Sequence, residues 1–325
     1  MKRNFLTRFC FILFFVLSFS LLNPIKVSAQ SAEYYLGGYP AGFSIYEKGV
    51  RVIGLCDVVT SDGVKSPSKD AGVDVGDLIL QIDGKEVNSS SDVMHIINGQ
   101  ELVSLRIKRI DKEFSLLVKP AKDMSNVYKL GLFIKDCVTG IGTITYITDN
   151  KIGCLGHPVL DENGSILQLS SGIISKCSIS SCIKSVKGRP GELRGVIEKS
   201  EICGKIINNY NSGVFAVKEN NCYKSKKISL GNAKPGEAFI YTTVFGDKPS
   251  CYSINIIKAI NDDESKDMVI KITDEKLLEI TGGIVQGMSG SPIVQDGQLV
   301  GAVTHVFIND PTMGFGINIS KMIFN

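Results

Sequence analysis

Near the C-terminal end, Gly287-Met288-Ser289-Gly290-Ser291-Pro292 separates two runs of strand-forming residues. Small residues on both sides of Ser289 allow a sharp turn that exposes its hydroxyl. The same turn aims the amides of Gly287 and Ser289 at one point, the arrangement of an oxyanion hole. A serine hydroxyl is a weak nucleophile alone, so this reading requires a base and a group that orients it. The chain has three histidines to supply the base.

His157 stands in Gly156-His157-Pro158-Val159, where Pro158 biases it towards extended backbone at a strand end. That suits a base, and equally a histidine satisfied in a strand-to-loop corner. His305 lies on the strand that follows the serine loop, where it would line a substrate cleft. His95 falls within a helix beside Met94 and Ile96, a place for packing or surface. Among the acids, Asp274 in Thr273-Asp274-Glu275-Lys276-Leu277 reads first as part of a helix N-terminus, with Thr273 or Asp274 as its cap. Asp161 is close in sequence to His157 and Asp136 has no distinguishing context.

These groups need rigid elements to hold them. From Gly142 to Leu155, two strand-like segments meet at Asp149-Asn150. Another pair, Pro292–Gln295 and Leu299–Phe307, meets at Asp296-Gly297. Residues 122–325 are Val/Ile/Thr-rich segments broken by Gly, Asn and Asp, with one helical stretch at 274–280, so an all-β barrel or sandwich is expected. Residues 37–121 form a separate unit of short strands and two helices. Its run Ala71-Gly72-Val73-Asp74-Val75-Gly76-Asp77-Leu78-Ile79-Leu80-Gln81-Ile82-Asp83-Gly84-Lys85-Glu86-Val87 resembles the PDZ domain of circularly permuted bacterial type. That resemblance implies an α+β domain that captures an extended peptide or C-terminus by strand addition. The glycine-rich entry Gly38-Tyr39-Pro40-Ala41-Gly42-Phe43 is expected to take the carboxylate.

With 43% hydrophobic and 21% charged residues, the chain is neither disordered nor a multi-pass membrane protein. Lys2, Arg3 and Arg8 precede an uncharged run from Phe9 to Leu22, followed by Val27-Ser28-Ala29. Residues 1–29 therefore read as an export signal, removed after Ala29 or kept as a membrane anchor, with 30–36 as linker. The formal charge of +3 stems from this segment, because 32 basic and 33 acidic side chains remain beyond it. No nucleic-acid partner is implied. Nine cysteines, eight of them after the signal, are too few for a disulfide scaffold and lack zinc-site spacing, so no metal or cofactor is expected.

Three further stretches carry a wider resemblance: Gly140–Asp161, Ile272–Phe307 and Asn309–Ile317. Together they look like the stage IV sporulation protein B (SpoIVB) family of serine endopeptidases, which have an N-terminal PDZ domain. The resemblance implies a mainly-β, chymotrypsin-like double barrel, with base His157, acid Asp274 and nucleophile Ser289. It also implies self-cleavage, and cleavage of the extracytoplasmic part of a membrane-bound regulator of an intramembrane protease. That cleavage would activate a late sporulation sigma factor from the space between forespore and mother-cell membranes. Two alternatives are an HtrA-like quality-control protease, disfavoured because the PDZ segment precedes the protease here, and an inactive PDZ adaptor.

Overall fold

Strand alternation organises the molecule, since residues two apart share a face and the apolar face turns inward. In Met268–Ile272, for example, Met268, Ile270 and Ile272 are buried while Lys271 is exposed. A computed structural model describes residues 32–323 apart from 111, 162–163, 221 and 260–265. The export segment 1–29 lies outside the described residues. Among the described residues no helix is long and apolar enough to cross a membrane.

Two closed antiparallel barrels emerge from the strand pairings. In the first, Pro40–Leu55 pairs with Leu132–Ile147, which pairs with Lys151–Cys154; Gly213–Lys218, Glu192–Tyr210 and Leu169–Ile183 follow, the last closing on Pro40–Leu55. Ala41, Phe43, Ile45, Ile144, Ile152, Ile174 and Val214 fill its interior. The second ring runs Gly236–Thr242, Ser250–Ala259, Met268–Ile272, Asp310–Asn318, Gln298–Phe307, Pro292–Gln295 and back to Gly236–Thr242. Ile240, Ile254, Ile270, Ile293 and Val303 pack inside it.

The PDZ segment has its own core of Val50, Val52, Ile79, Ile82, Val93, Ile97, Leu105 and Ile107. Its longer helix, Ser90–Ile97, is capped by Ser89, whose side chain accepts from the Asp92 amide. The shorter helix, Pro67–Asp70, has proline in its first turn and Gly72 just beyond with φ +83°.

The boundary expected at residue 37 differs in the structure. Pro40–Leu55 is one 16-residue strand whose first half serves the first barrel and whose second half serves the PDZ core. The PDZ fold is thus inserted into the first barrel, between its first strand and Leu132–Ile147. This also corrects the peptide-binding role expected of Gly38–Phe43. Gly38 donates its amide to the Ile144 carbonyl at 2.7 Å, and Gly37 to that of Thr145 at 3.0 Å. Residues 41–46 pair with residues 137–142 on one side and residues 171–176 on the other. Amides spent on neighbouring strands cannot hold a carboxylate.

The strand that continues into the PDZ core is paired on both sides as well. Within the PDZ half, Val50 and Arg51 pair with Ile79 and Leu78 on one side, and Val52 and Arg51 with Ile134 and Lys135 on the other. Asp136 then accepts a hydrogen bond from the Ser90 amide at 3.0 Å, tying this neighbouring strand to the start of the PDZ helix.

Candidate active site

His157 follows the Lys151–Cys154 strand of the first barrel. The two residues before it, Leu155 and Gly156, both have left-handed backbone, with φ +68° and +72°. Leucine rarely adopts that conformation, so strain is held immediately ahead of the histidine. At Gly156 a side chain would also meet Thr304 and Ile317 of the second barrel. The close approach brings the His157 segment against the strand that carries Thr304 and His305.

Ser289 comes from the second barrel, on the loop before Pro292–Gln295. Gly287 has φ +98° and Gly290 φ +93°, values that favour glycine. A Cβ on Gly290 would stand 2.2 Å from the Thr143 carbonyl oxygen, so no other residue fits. First-barrel threonines stitch the loop down: Thr143 Oγ1 donates to the Gly287 carbonyl and Thr145 Oγ1 to that of Gly290, both at 2.8 Å, while the Thr143 amide donates to the Ser289 carbonyl at 3.0 Å. Both threonines are buried. Nothing in their residue type announced this role.

His157, Ser289 and His305 line one cavity of 510 Å³ where the barrels meet. The two imidazole centroids are 5.1 Å apart, inclined at 41°. Ser289 Oγ donates to the Thr304 carbonyl at 2.8 Å. His157 Nδ1 lies 2.8 Å from the Pro158 carbonyl oxygen. A carbonyl can only accept, so Nδ1 carries the ring proton and Nε2 keeps its lone pair. Burial lowers the His157 pKa from its ordinary value, opposed by the Pro158 carbonyl, so the ring is neutral near pH 7. His305, which also lines the cavity, is pushed down to about 4 by desolvation first and then by His157 and Lys266.

Asp274, expected from the resemblance to orient His157, is placed elsewhere. It caps the helix Glu275–Thr281: Oδ1 accepts from the Leu277 amide at 3.0 Å and Oδ2 from the Ser253 amide at 3.3 Å. No carboxylate lines the cavity among the described residues. Asp136 is engaged at Ser90, and Asp161 accepts from the Ser165 amide and lies 3.8 Å from Arg51. His95 is exposed on the PDZ helix.

Sequence reasoning missed the residue that fixes the histidine segment. Asn209, buried near the end of Glu192–Tyr210, accepts from the Val159 amide at 2.8 Å through Oδ1. Its Nδ2 donates to the Val159 carbonyl at 2.8 Å and the Leu167 carbonyl at 3.0 Å. An asparagine that grips the amide and the carbonyl of one residue acts like an added strand. Its only sequence signal is an amide side chain at an inward position of a strand.

Comparison with known proteins gives the family. The profile described as SpoIVB peptidase S55 matches residues 126–323, more than half of the chain. The chain belongs to the SpoIVB peptidase S55 family. This S55 member is a serine peptidase, and a PDZ-domain profile also matches residues 42–119. A Mesorhizobium japonicum protein named as a zinc metalloprotease is 25% identical over 154 residues, 45% of this chain; the chain spans 41% of that relative's length. Among solved structures, the PDZ domain of an SdrC-like protein from Listeria monocytogenes is 26% identical, with 27% of this chain and 87% of that one covered and a TM-score of 0.22. The active form of the Rv3671c protease from M. tuberculosis is 16% identical, covering 57% of this chain and 71% of that one, with a TM-score of 0.33.

Proposed function

We propose that this S55 serine peptidase is an endopeptidase in which Ser289 is the nucleophile and His157 the base. The observation that carries the assignment is their shared cavity between the barrels, beside a histidine whose free nitrogen is Nε2. In the reaction, Ser289 Oγ leaves the Thr304 carbonyl and attacks a substrate carbonyl while His157 Nε2 takes its proton. The Gly287 and Ser289 amides receive the developing oxyanion. His157 then passes the proton to the leaving amine, and water repeats the sequence to free the acyl group. The Pro158 carbonyl holds the ring in the required tautomer, the task an acid performs in a Ser-His-Asp triad.

Membership of the family supports an extracytoplasmic role in sporulation. There the enzyme would cleave itself and the external part of a membrane-bound regulator, releasing an intramembrane protease that activates a late sigma factor. The test is to incubate wild-type and Ser289→Ala proteins with ectodomains of candidate regulators and map the fragments by mass spectrometry. Discrete cleavage by the wild type alone is expected. Equal cleavage by Ser289→Ala would overturn the assignment.

A further inference from the structure

The cavity beside Ser289 offers a substrate mainly apolar contact. Ile284 and Val285 form the wall that runs directly into Gly287, whose amide would receive the carbonyl oxygen. Val306 and Ile308, which follow Thr304, line it too, with Ile141 of the first barrel. No Asp, Glu, Lys or Arg lines the space among the described residues. Two of its polar atoms are committed, Ser289 Oγ to the Thr304 carbonyl and His157 Nδ1 to that of Pro158, while Thr139, Gln286 and His305 add uncharged polar groups to the lining. A charged side chain entering there would lose hydration without gaining an opposite charge, whereas an apolar one would leave water for surfaces like itself.

Resting on the peptidase reading above, we infer that this cavity is the specificity pocket, and that it takes a bulky uncharged side chain on the residue supplying the attacked carbonyl. The substrate class is then extended peptide segments cleaved after Leu, Met or Phe. Contiguity of the Ile284–Gly287 wall with the oxyanion position puts the pocket on that side of the scissile bond. A volume of 510 Å³ admits such side chains without rearrangement. Ile308, 59% exposed at the rim, can be changed without opening the core.

Internally quenched peptides that differ at this one residue (Leu, Phe, Ala, Lys or Asp) test the inference with wild type, Ser289→Ala and Ile308→Asp, each also titrated with a fluorophosphonate. Wild-type kcat/KM should be about 100-fold higher after Leu or Phe than after Lys or Asp. Ile308→Asp should lower the Leu and Phe values and raise the Lys value about tenfold. Ser289-dependent cleavage that is fastest after Lys, Asp or Ala would overturn the pocket while leaving the peptidase intact. So would a Ser289 that takes the fluorophosphonate yet cleaves none of the peptides. Neither labelling nor cleavage would instead fail the peptidase reading on which the pocket rests.

Discussion

At the scale of single residues, the structure separates two roles that the sequence leaves joined at Asp274. As a helix cap its carboxylate accepts from two amides, and asparagine keeps an acceptor for the capping one, from Leu277. Asp274→Asn should therefore keep kcat/KM within about tenfold of wild type, where an orienting acid changed to its amide costs about 10⁴-fold. Asp274→Ala should lower stability by about 1 kcal/mol, measured by denaturant unfolding. His157 gives a second expectation. A lowered pKa means the ring sheds its proton in more acid solution, so the base stays competent below pH 6.5. The acid limb of the pH profile of kcat/KM should be half-maximal below 6.5. A midpoint above that value would contradict the buried, neutral ring.

At the scale of elements, the site is two segments held by backbone-directed hydrogen bonds. Asn209 should count for most, because Asn209→Ala abandons the Val159 amide together with two carbonyls, that of Leu167 buried. That loss costs about 1–3 kcal/mol of stability. The same change loosens the peptide next to the Pro158 carbonyl, so kcat should fall about 10- to 100-fold with KM nearly unchanged. Asn209→Asp, which keeps the acceptor and removes the donors, should not restore it. A stability loss with kcat intact would reduce Asn209 to a structural residue.

How much was legible in the sequence follows from how local each determinant is. The serine loop was readable because Gly287, Ser289 and Gly290 declare a tight turn within a few positions. The Asp274 cap was readable for the same reason. The Pro158 carbonyl was not, since a backbone oxygen has no residue type of its own. Thr143 and Thr145 were equally silent, because alternation within a strand says which face is inward but not what that face meets.

At the scale of the whole molecule, one strand joins two folds. The PDZ signature lies within one contiguous stretch and was legible there, while the partners of residues 40–47 lie some 90 to 130 positions further along the chain. Ala41, Phe43 and Ile45 alternate as they would in either fold, so the sequence could not assign them to a barrel. The peptidase region cut at residue 122 would consequently lose a strand from a closed ring. A 122–325 fragment should show no cooperative thermal unfolding and no fluorophosphonate labelling, whereas a chain starting at residue 33 should show both. A folded, labelled 122–325 fragment would contradict the shared strand.

The central claim is that Ser289 is a nucleophile activated by His157 across the junction of the two barrels. Fluorophosphonate labelling mapped by peptide mass spectrometry measures it most directly. The account predicts one adduct per chain, on Ser289, that disappears in His157→Ala protein whose thermal unfolding is unchanged. An adduct on another residue, or an undiminished labelling rate without His157, would contradict it.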